Sequence, residues 1–274
     1  MTAVDRRAQA RPLESPYLVH GVLDRNGVGT TVMTDVSIEA IEVAVHGQWS
    51  PRVSDTVSAA LPLCLAGPSS SIIVDLRDLG DTYGASLPFW LALWREARLA
   101  DAPMNMTFSL PETTALSRRL RNLRGPQPRV FATVLEARMG IAARTSRADR
   151  LQIRLEPRPA SVAAARTLVT QACRLQNRPD ALQDACLIVS ELAANAVEHA
   201  CTDFIVTVSH HGTRLHMAVH DRVSRFSRRS GSELICRQAA LEERRRGLPL
   251  VHMIATAWGV VPTRHGKVVW ATVM

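Results

Sequence analysis

Residues 190–200 read SELAANAVEHA, and this run of small apolar residues carries acids and an amide at helical spacing. At about 100° per residue, Glu191, Asn195 and Glu198 share one stripe of a helix, and His199 lies at the margin of that stripe. Alanines and Val197 occupy the opposite side. The stretch by itself fits either a solvated helix face or a functional site, so the choice depends on the rest of the chain.

The composition describes a globular chain that is long enough for two domains. It has 274 residues, of which 46% are apolar and 21% are charged. The five cysteines are odd in number and show no CxxC spacing, and the N-terminus has no apolar segment of the kind that targets secretion. We therefore expect a cytoplasmic protein with free thiols and no membrane span.

The positive charge is concentrated in one segment. The net charge is +8, and Lys267 is the only lysine among the 33 Lys and Arg residues. Residues 222–246 hold eight arginines and three glutamates, which is a net charge of +5 and should attract phosphate or an acidic partner. Nucleic-acid binding is the weaker alternative, because only Phe226 interleaves with these arginines and no recognition motif accompanies them.

The first half of the chain alternates strands and helices. We predict a loosely ordered segment over residues 1–35, because it is polar with scattered Gly and Pro. The pattern then predicts strands at 41–49, 71–76, 104–110 and 129–134, with helices at 54–66, 86–100 and 112–123 between them. This order predicts an α/β domain over residues 36–142, and the charged residues 143–150 are predicted to be a linker.

The second half, residues 151–274, begins with helices and ends with antiparallel strands. A strand at 151–157 and helices at 160–176 and 178–200 are followed by a hairpin at 203–221. A further helix at 247–258 and a hairpin at 259–274 complete the pattern. The fold class is therefore α/β for the first domain, plus an α+β sandwich of helices on an antiparallel sheet for the second.

Three positions in the second half stand out at equal spacing. Asp221 lies in phase with Leu215, Met217 and Val219, so its carboxylate points toward the core side of the sheet, where an unpartnered charge is costly. It follows Asn195 by 26 residues, and Gly247 follows it by another 26. Gly247 precedes an apolar helix, where the backbone can approach an anion closely.

These motifs resemble the ATP-binding sandwich of the GHKL superfamily, also called the Bergerat fold. Within it, the likeness is to the anti-sigma factor serine/threonine kinases. VSELAANAVEHA resembles their N-box, MAVHD resembles the strand that leads into the adenine-binding aspartate, and RRGLPLVHMIATAWGV resembles their second glycine box. A final strand, VVWATV, completes the likeness, which covers residues 151–274.

The resemblance implies an ATP site that uses Mg²⁺. Asn195 would bind Mg²⁺ through its amide oxygen, since this cation prefers oxygen ligands and takes few of them from the protein. Glu191 would polarise the acceptor hydroxyl as general base. Asp221 would accept a hydrogen bond from the adenine amino group, and the phosphates would meet Arg245, Gly247 and Leu248.

The sequence also departs from the family pattern. Small residues usually follow the adenine aspartate, whereas here the sequence reads DRVSRFS, and Arg245 precedes Arg246-Gly247-Leu248 where the family usually has a second glycine. Arg245 can bind phosphate through its guanidinium, or it can block the lid from closing. A non-catalytic protein-interaction module with a degenerate nucleotide site is therefore the alternative to a kinase.

The first half resembles a STAS domain, the fold of anti-sigma factor antagonists. The resemblance rests on VAVHGQWS, SDTVSAALPLCLA, SIIVDLRDLGDTYGASLPFWLAL and RVFATVLEA. It implies a phosphoacceptor at Thr82, in the pattern Asp81-Thr82-Tyr83-Gly84, where a phosphate would add about −1.5 to −2 of charge near a helix N-terminus. An ordinary strand-to-helix loop is the alternative interpretation.

Together the two resemblances imply a partner-switching regulator of transcription. Its partners would be a sigma factor, a STAS-domain antagonist or both, its phosphoacceptor would be Thr82 in the same chain or a residue of a separate protein, and it would form a homodimer. Five histidines fall between residues 199 and 220, but no HxH or HExxH spacing is present, so a zinc site is the weaker interpretation.

Overall fold

The computed structural model describes residues 17–18, 21–65, 67, 69–99, 103–144, 150–200, 202–211, 213–222 and 247–274. In these ranges the chain forms seven helices and two sheets, a mixed α/β architecture. The strands are β1 (Tyr17–Leu18), β2 (Val22–Leu23), β3 (Gly29–Asp35), β4 (Ala40–Gln48), β5 (Ser71–Asp75), β6 (Leu79–Gly80), β7 (Asn105–Ser109), β8 (Arg129–Phe131), β9 (Arg150–Leu155), β10 (Phe204–His211), β11 (Arg214–Asp221), β12 (Ala257–Thr263) and β13 (Gly266–Val273). The helices are α1 (Pro51–Leu65), α2 (Leu87–Leu99), α3 (Ala115–Arg121), α4 (Val134–Ala142), α5 (Ala160–Leu175), α6 (Leu182–His199) and α7 (Gly247–Ile254).

The first domain is built on a mixed sheet in the order β2-β3-β4-β5-β7-β8, with β6 beside β4. Strands β2, β3 and β4 run antiparallel, and β4, β5, β7 and β8 run parallel. Helices α1, α2 and α3 make the crossovers that parallel pairing requires. Strand β5 is buried along its whole length, which fits the continuous apolar run in its sequence. The predicted α/β domain is thus observed.

The prediction for residues 1–35 differs from the structure where the structure describes them. Strand β3 occupies residues 29–35 and pairs along its length with β4, and β2 pairs with β3. Thr30 and Val32 are buried, although only one of them is apolar. The polar composition of this segment predicted loose order, whereas hydrogen bonds to β4 hold the strand in place.

Helix α4 was not predicted and directly follows the short strand β8. Its N-cap is Thr133, whose hydroxyl accepts a hydrogen bond from the backbone N–H of Glu136. The Glu136 carboxylate in turn accepts from the N–H of Ala132. Thr-x-x-Glu is the signature of a capping box, and this signal in the sequence marks the helix start.

The second domain has an antiparallel sheet in the order β12-β13-β11-β10-β9, covered on one face by α5, α6 and α7. Leu215, Met217 and Val219 point from β11 into the core beneath these helices, together with Ile188 and Leu192 of α6. The predicted sandwich is observed, with shifts of boundary. The helix predicted over residues 178–200 begins at Leu182. The helix predicted to reach residue 258 ends at Ile254, because the chain turns into β12.

Strand β1 contains the first residues that the structure describes, and it belongs to the sheet of the second domain. It pairs parallel with β12, and the Tyr17 ring stacks on Trp270 with centroids 5.8 Å apart and an interplanar angle of 4°. Gly259 permits this close approach, because a Cβ there would lie 2.2 Å from the backbone oxygen of Tyr17.

The two domains pack against each other across the face of the second sheet that its helices leave uncovered. Ala218, Val268 and Trp270 on this face belong to one buried apolar cluster with first-domain residues such as Val32. At the edge of the contact, Arg150 donates to the backbone oxygen of Val36 at 2.8 Å.

A nearly buried ion pair reinforces this domain contact. Arg150 Nε lies 3.2 Å from Glu39 Oε1, and both side chains are close to nine-tenths buried. Burial raises the pKa of the Glu39 carboxyl, while the charge of Arg150 lowers it. Within the described ranges, none of the helices is both long enough and apolar enough to cross a membrane.

Candidate functional site

Helix α6 carries Glu191 and Asn195 one turn apart on its half-buried side. Leu192, Ala193 and Ala196 of the same helix are buried against the sheet, which fixes how the helix is rotated. Glu191 and Asn195 are partly accessible, whereas Glu198 is exposed. The stripe predicted from the sequence therefore runs from the margin of the core into solvent.

Asp221 is a buried carboxylate at the end of β11. The residue is 4% exposed and lies on the face of the sheet that α6 covers, as the alternation of β11 predicts. Its Oδ2 atom lies 2.8 Å from Nζ of Lys267, which stands opposite it on β13. This ion pair offsets the cost of burying the charge. Sequence reasoning noted Lys267 as the sole lysine but did not connect it with the site.

Gly266 allows β13 to approach β11 closely at this point. A Cβ at position 266 would lie 1.9 Å from the backbone oxygen of Asp221 and 2.8 Å from Cα of Arg222. Only glycine fits such a contact, so Gly266 determines where Lys267 stands relative to Asp221. Sequence reasoning missed this residue, although a glycine between two β-rich runs marks a turn or a close approach.

Helix α7 begins at Gly247, as the glycine-box pattern predicts. Leu248 is partly buried against the second core, and Val251, one turn later, is fully buried there. Arg245 and the residues of DRVSRFS after Arg222 lie outside the described residues. The basic segment 222–246 is described only at Arg222.

The fold brings the elements that carry the predicted site residues together. Helix α6 packs on β11, β13 and α7, so the helix of Glu191 and Asn195, the strand of Asp221 and the helix of Gly247 are neighbours. A carboxylate and an amide one turn apart supply the oxygen donors that Mg²⁺ prefers. A buried carboxylate beside an ammonium group supplies an acceptor and a donor for a polar planar ligand. These side chains fit a Mg·ATP site chemically.

Thr82 is exposed on the first domain, in the loop between β6 and α2. The structure differs from the expectation of a helix N-terminus at this position, since α2 begins five residues later, at Leu87. The Asp81 carboxylate accepts hydrogen bonds from the N–H groups of Ala85 and Ser86, at 2.8 and 3.0 Å, and so occupies the approach to that helix. A cationic group is nevertheless close, because Arg119 donates to the backbone oxygen of Gly84 in the same loop.

The histidines on β11 lie on the opposite sheet face from Asp221. His216 is buried against the first domain, and His220 lines a groove of about 360 Å³ between the two domains. Among the residues that the structure describes, no three His, Cys, Asp or Glu side chains come together as a metal site would require. Cys64, Cys173 and Cys186 are free thiols, and burial raises the pKa of Cys64 to about 12.

Because His220 lines this groove, its contribution to the free energy of unfolding depends on pH. Burial lowers the pKa of its imidazole below the ordinary 6.5, Arg222 and His265 lower it further, and Asp221 opposes them. Across the groove stand Asp35, Glu42 and Arg138 of the first domain and Arg264 of the β12–β13 turn. The folded state therefore favours neutral His220, whose Nε2 lies 3.3 Å from the Thr263 hydroxyl.

A histidine whose pKa is lower in the folded protein than in the unfolded chain contributes stability at pH values above the unfolded-state pKa. That contribution is lost as the pH falls through the folded-state pKa. We expect the free energy of unfolding to fall on acidification from pH 7.5 to 5.5, and His220→Gln to make that fall smaller. Urea denaturation of both proteins at the two pH values measures this. An identical pH dependence in both proteins would exclude the role.

Comparison with known proteins supplies a family match for part of the chain and similar solved structures. Residues 155–273 match the profile of the histidine kinase-like ATPase domain. Among solved structures, the chain is similar to the crystal structure of the RsbU and RsbW domains of Rv1364c from Mycobacterium tuberculosis, with 16% sequence identity and a TM-score of 0.34. That alignment covers 45% of this chain and 31% of the other. No curated protein matches the chain.

Proposed function

Residues 155–273 are a histidine kinase-like ATPase domain, and from that premise we propose that the protein is an ATP-binding regulator of a partner-switching system. Its second domain would phosphorylate a serine or threonine of a STAS-domain antagonist, or bind a sigma factor. The observation that carries the proposal is the buried carboxylate of Asp221 on the sheet face covered by α6, the helix that bears Glu191 and Asn195.

The proposed roles follow from the chemistry of each side chain. Asp221 would accept a hydrogen bond from the adenine amino group, and Asn195 would hold Mg²⁺ through its amide oxygen. Glu191 would accept the proton of the attacking hydroxyl. Gly247 and Leu248, at the start of α7, would present backbone N–H groups to phosphate, joined by the Arg245 guanidinium. When bound, Mg·ATP supplies the phosphoryl group for transfer.

The first domain is proposed to be STAS-like. Its antiparallel pair β3–β4, followed by parallel strands with one helix in each crossover, supports the resemblance of its motifs to that fold. We propose domains at residues 36–142 and 151–274 with a linker at 143–150, and extend the first domain to include β2 and β3. A homodimer and cytoplasmic location remain part of the proposal.

The packing of the domains favours a phosphoacceptor on a separate protein over Thr82 of the same chain. The first domain covers one face of the second sheet, whereas Glu191 and Asn195 lie on a helix that covers the other face. The sheet therefore stands between the proposed catalytic groups and the domain that carries Thr82. Phosphorylation within one chain would require the two domains to separate.

A non-catalytic interaction module is the second candidate. The observation in its favour is the sequence Arg245-Arg246-Gly247-Leu248, in which an arginine stands where the family usually has a glycine. In that case the domain would act by protein contact and nucleotide would bind weakly or not at all.

Calorimetric titration of the full chain with ATP, with and without Mg²⁺, separates the two candidates. We expect Mg²⁺-dependent binding in the wild type, and an affinity for Mg·ATP lowered about tenfold to a hundredfold in Asn195→Ala, as for loss of a contact to a charged group. Gln183→Ala is the matched control, because Gln183 is an exposed amide in the first turn of the same helix.

Two results would reject the ATP-binding proposal. One is the absence of heat of binding at millimolar Mg·ATP in the wild type. The other is an equal loss of affinity in the Asn195 and Gln183 variants, which would show that the effect is not local to the proposed site.

A further inference from the structure

Lys267 lies beside Asp221, the carboxylate that is proposed to bind the adenine base. It is directly opposite Asp221 in the register of β11 and β13, so the two side chains lie on the same face of the sheet. Its side chain is 24% exposed, whereas that of Asp221 is 5% exposed. Lys267 is therefore the more accessible member of the pair on the face that α6 covers.

The identity of the residue is as informative as its position. All other residues among the 33 Lys and Arg of the chain are arginine, and the exception is the one that contacts Asp221. A guanidinium is a broad planar fork, whereas an ammonium is a compact charge with three donor hydrogens. Lysine can therefore keep one hydrogen on Asp221 and direct another to a ligand.

From this geometry we propose that Lys267 reads the nucleotide base together with Asp221. The inference rests on the proposed function and adds a specificity-determining residue to it. Asp221 Oδ2 and Lys267 Nζ, 2.8 Å apart, offer an acceptor and a donor side by side. The edge of adenine offers the complement, an exocyclic amino donor flanked by ring-nitrogen acceptors. Asp221 accepts from the amino group, and Lys267 donates to N1 or N7 beside it.

The test removes each ring-nitrogen acceptor of adenine, N1 and N7, from the ligand. It then removes the ammonium donor of Lys267 from the protein. The full chain is titrated calorimetrically with the magnesium complexes of ATP, 1-deaza-ATP and 7-deaza-ATP. We expect wild type to bind one of the two analogues about tenfold more weakly than ATP, which identifies the ring nitrogen that Lys267 contacts. In Lys267→Met, all three nucleotides should bind with equal affinity, and Lys267→Arg should restore part of the difference.

Arg264→Met is the matched control for charge. Arg264 is exposed in the same hairpin but lines the groove on the other face of the sheet. This variant should keep the wild-type ratio of affinities. The ratio of affinities for ATP and its analogues is measured within each protein, so it can be obtained even for a variant that is less stable. The comparison of the three nucleotides in the wild type does not depend on any variant.

Each remaining outcome counts against the inference. If wild type binds ATP and both analogues equally, Lys267 does not read the base, although the ATP site stands. If Lys267→Met lowers the affinity for all three nucleotides by one factor and keeps the wild-type ratio, Lys267 only positions Asp221. If wild type does not bind ATP, the proposed function fails and the inference fails with it.

Discussion

Replacing Glu191 by alanine is expected to slow phosphotransfer to a separate STAS-domain protein by about 10²- to 10⁴-fold, the range that a positioned general base contributes. Affinity for Mg·ATP should stay close to that of the wild type, because the carboxylate acts on the acceptor hydroxyl rather than on the nucleotide. Single-turnover transfer of labelled phosphate from ATP to purified STAS-domain proteins measures the rate.

Glu198→Ala is the control for this experiment. Glu198 lies on the same stripe of α6 and is exposed, and its carboxylate lies 3.9 Å from Nε2 of His199. Its loss should leave the rate unchanged. An unchanged rate in Glu191→Ala, with phosphorylation intact on every STAS partner tested, would show that Glu191 is not the general base.

Trp270→Ala is expected to have the largest effect on stability, lowering the free energy of unfolding by about 3–5 kcal/mol. Trp270 is fully buried, its ring stacks on Tyr17, and it belongs to the apolar cluster that joins the two domains. Removing the indole leaves a cavity at the point where both domains and β1 meet, so the surrounding side chains have little freedom to close it. Urea denaturation followed by circular dichroism measures the change.

Tyr83→Ala is the aromatic control, because Tyr83 is 83% exposed in the β6–α2 loop. It should change the free energy of unfolding by no more than about 0.5 kcal/mol. A loss below about 1 kcal/mol in Trp270→Ala would mean that the domains do not depend on this contact. The packing of the first domain on the second sheet would then be secondary to stability.

Much of the second domain could be predicted from local pattern. Alternation placed Asp221 on the core side of β11 and the two histidines on the other side, because side chains in a strand alternate between faces wherever the strand lies. Helical periodicity placed Glu191 and Asn195 on one side of α6 for the same reason. The start of α7 at Gly247 followed from a glycine before an apolar run. That these residues act on ATP remains a prediction.

The first domain shows where local pattern was insufficient. Strand β3 was missed because its buried positions include Thr30, and its order depends on β4. Helix α4 was missed although Thr133 and Glu136 signal its start, because the strand before it has only three residues and the apolar run continues into the helix. The signal for α4 was therefore present in the sequence, whereas the order of β3 depends on its pairing with β4.

The sequence by itself determined the order of most elements and the faces on which the polar side chains of α6 and β11 lie, because these follow from periodicity within single elements. Only the tertiary structure decided which elements meet. Lys267 lies 46 residues after Asp221 and reaches it through the register of β11 with β13, fixed by the close approach at Gly266. Likewise, both faces of β13 read as apolar, and only the packing shows that Trp270 faces the first domain while Val269 faces the helices. Such pairings are set by cooperative packing over the whole molecule, which no local pattern encodes.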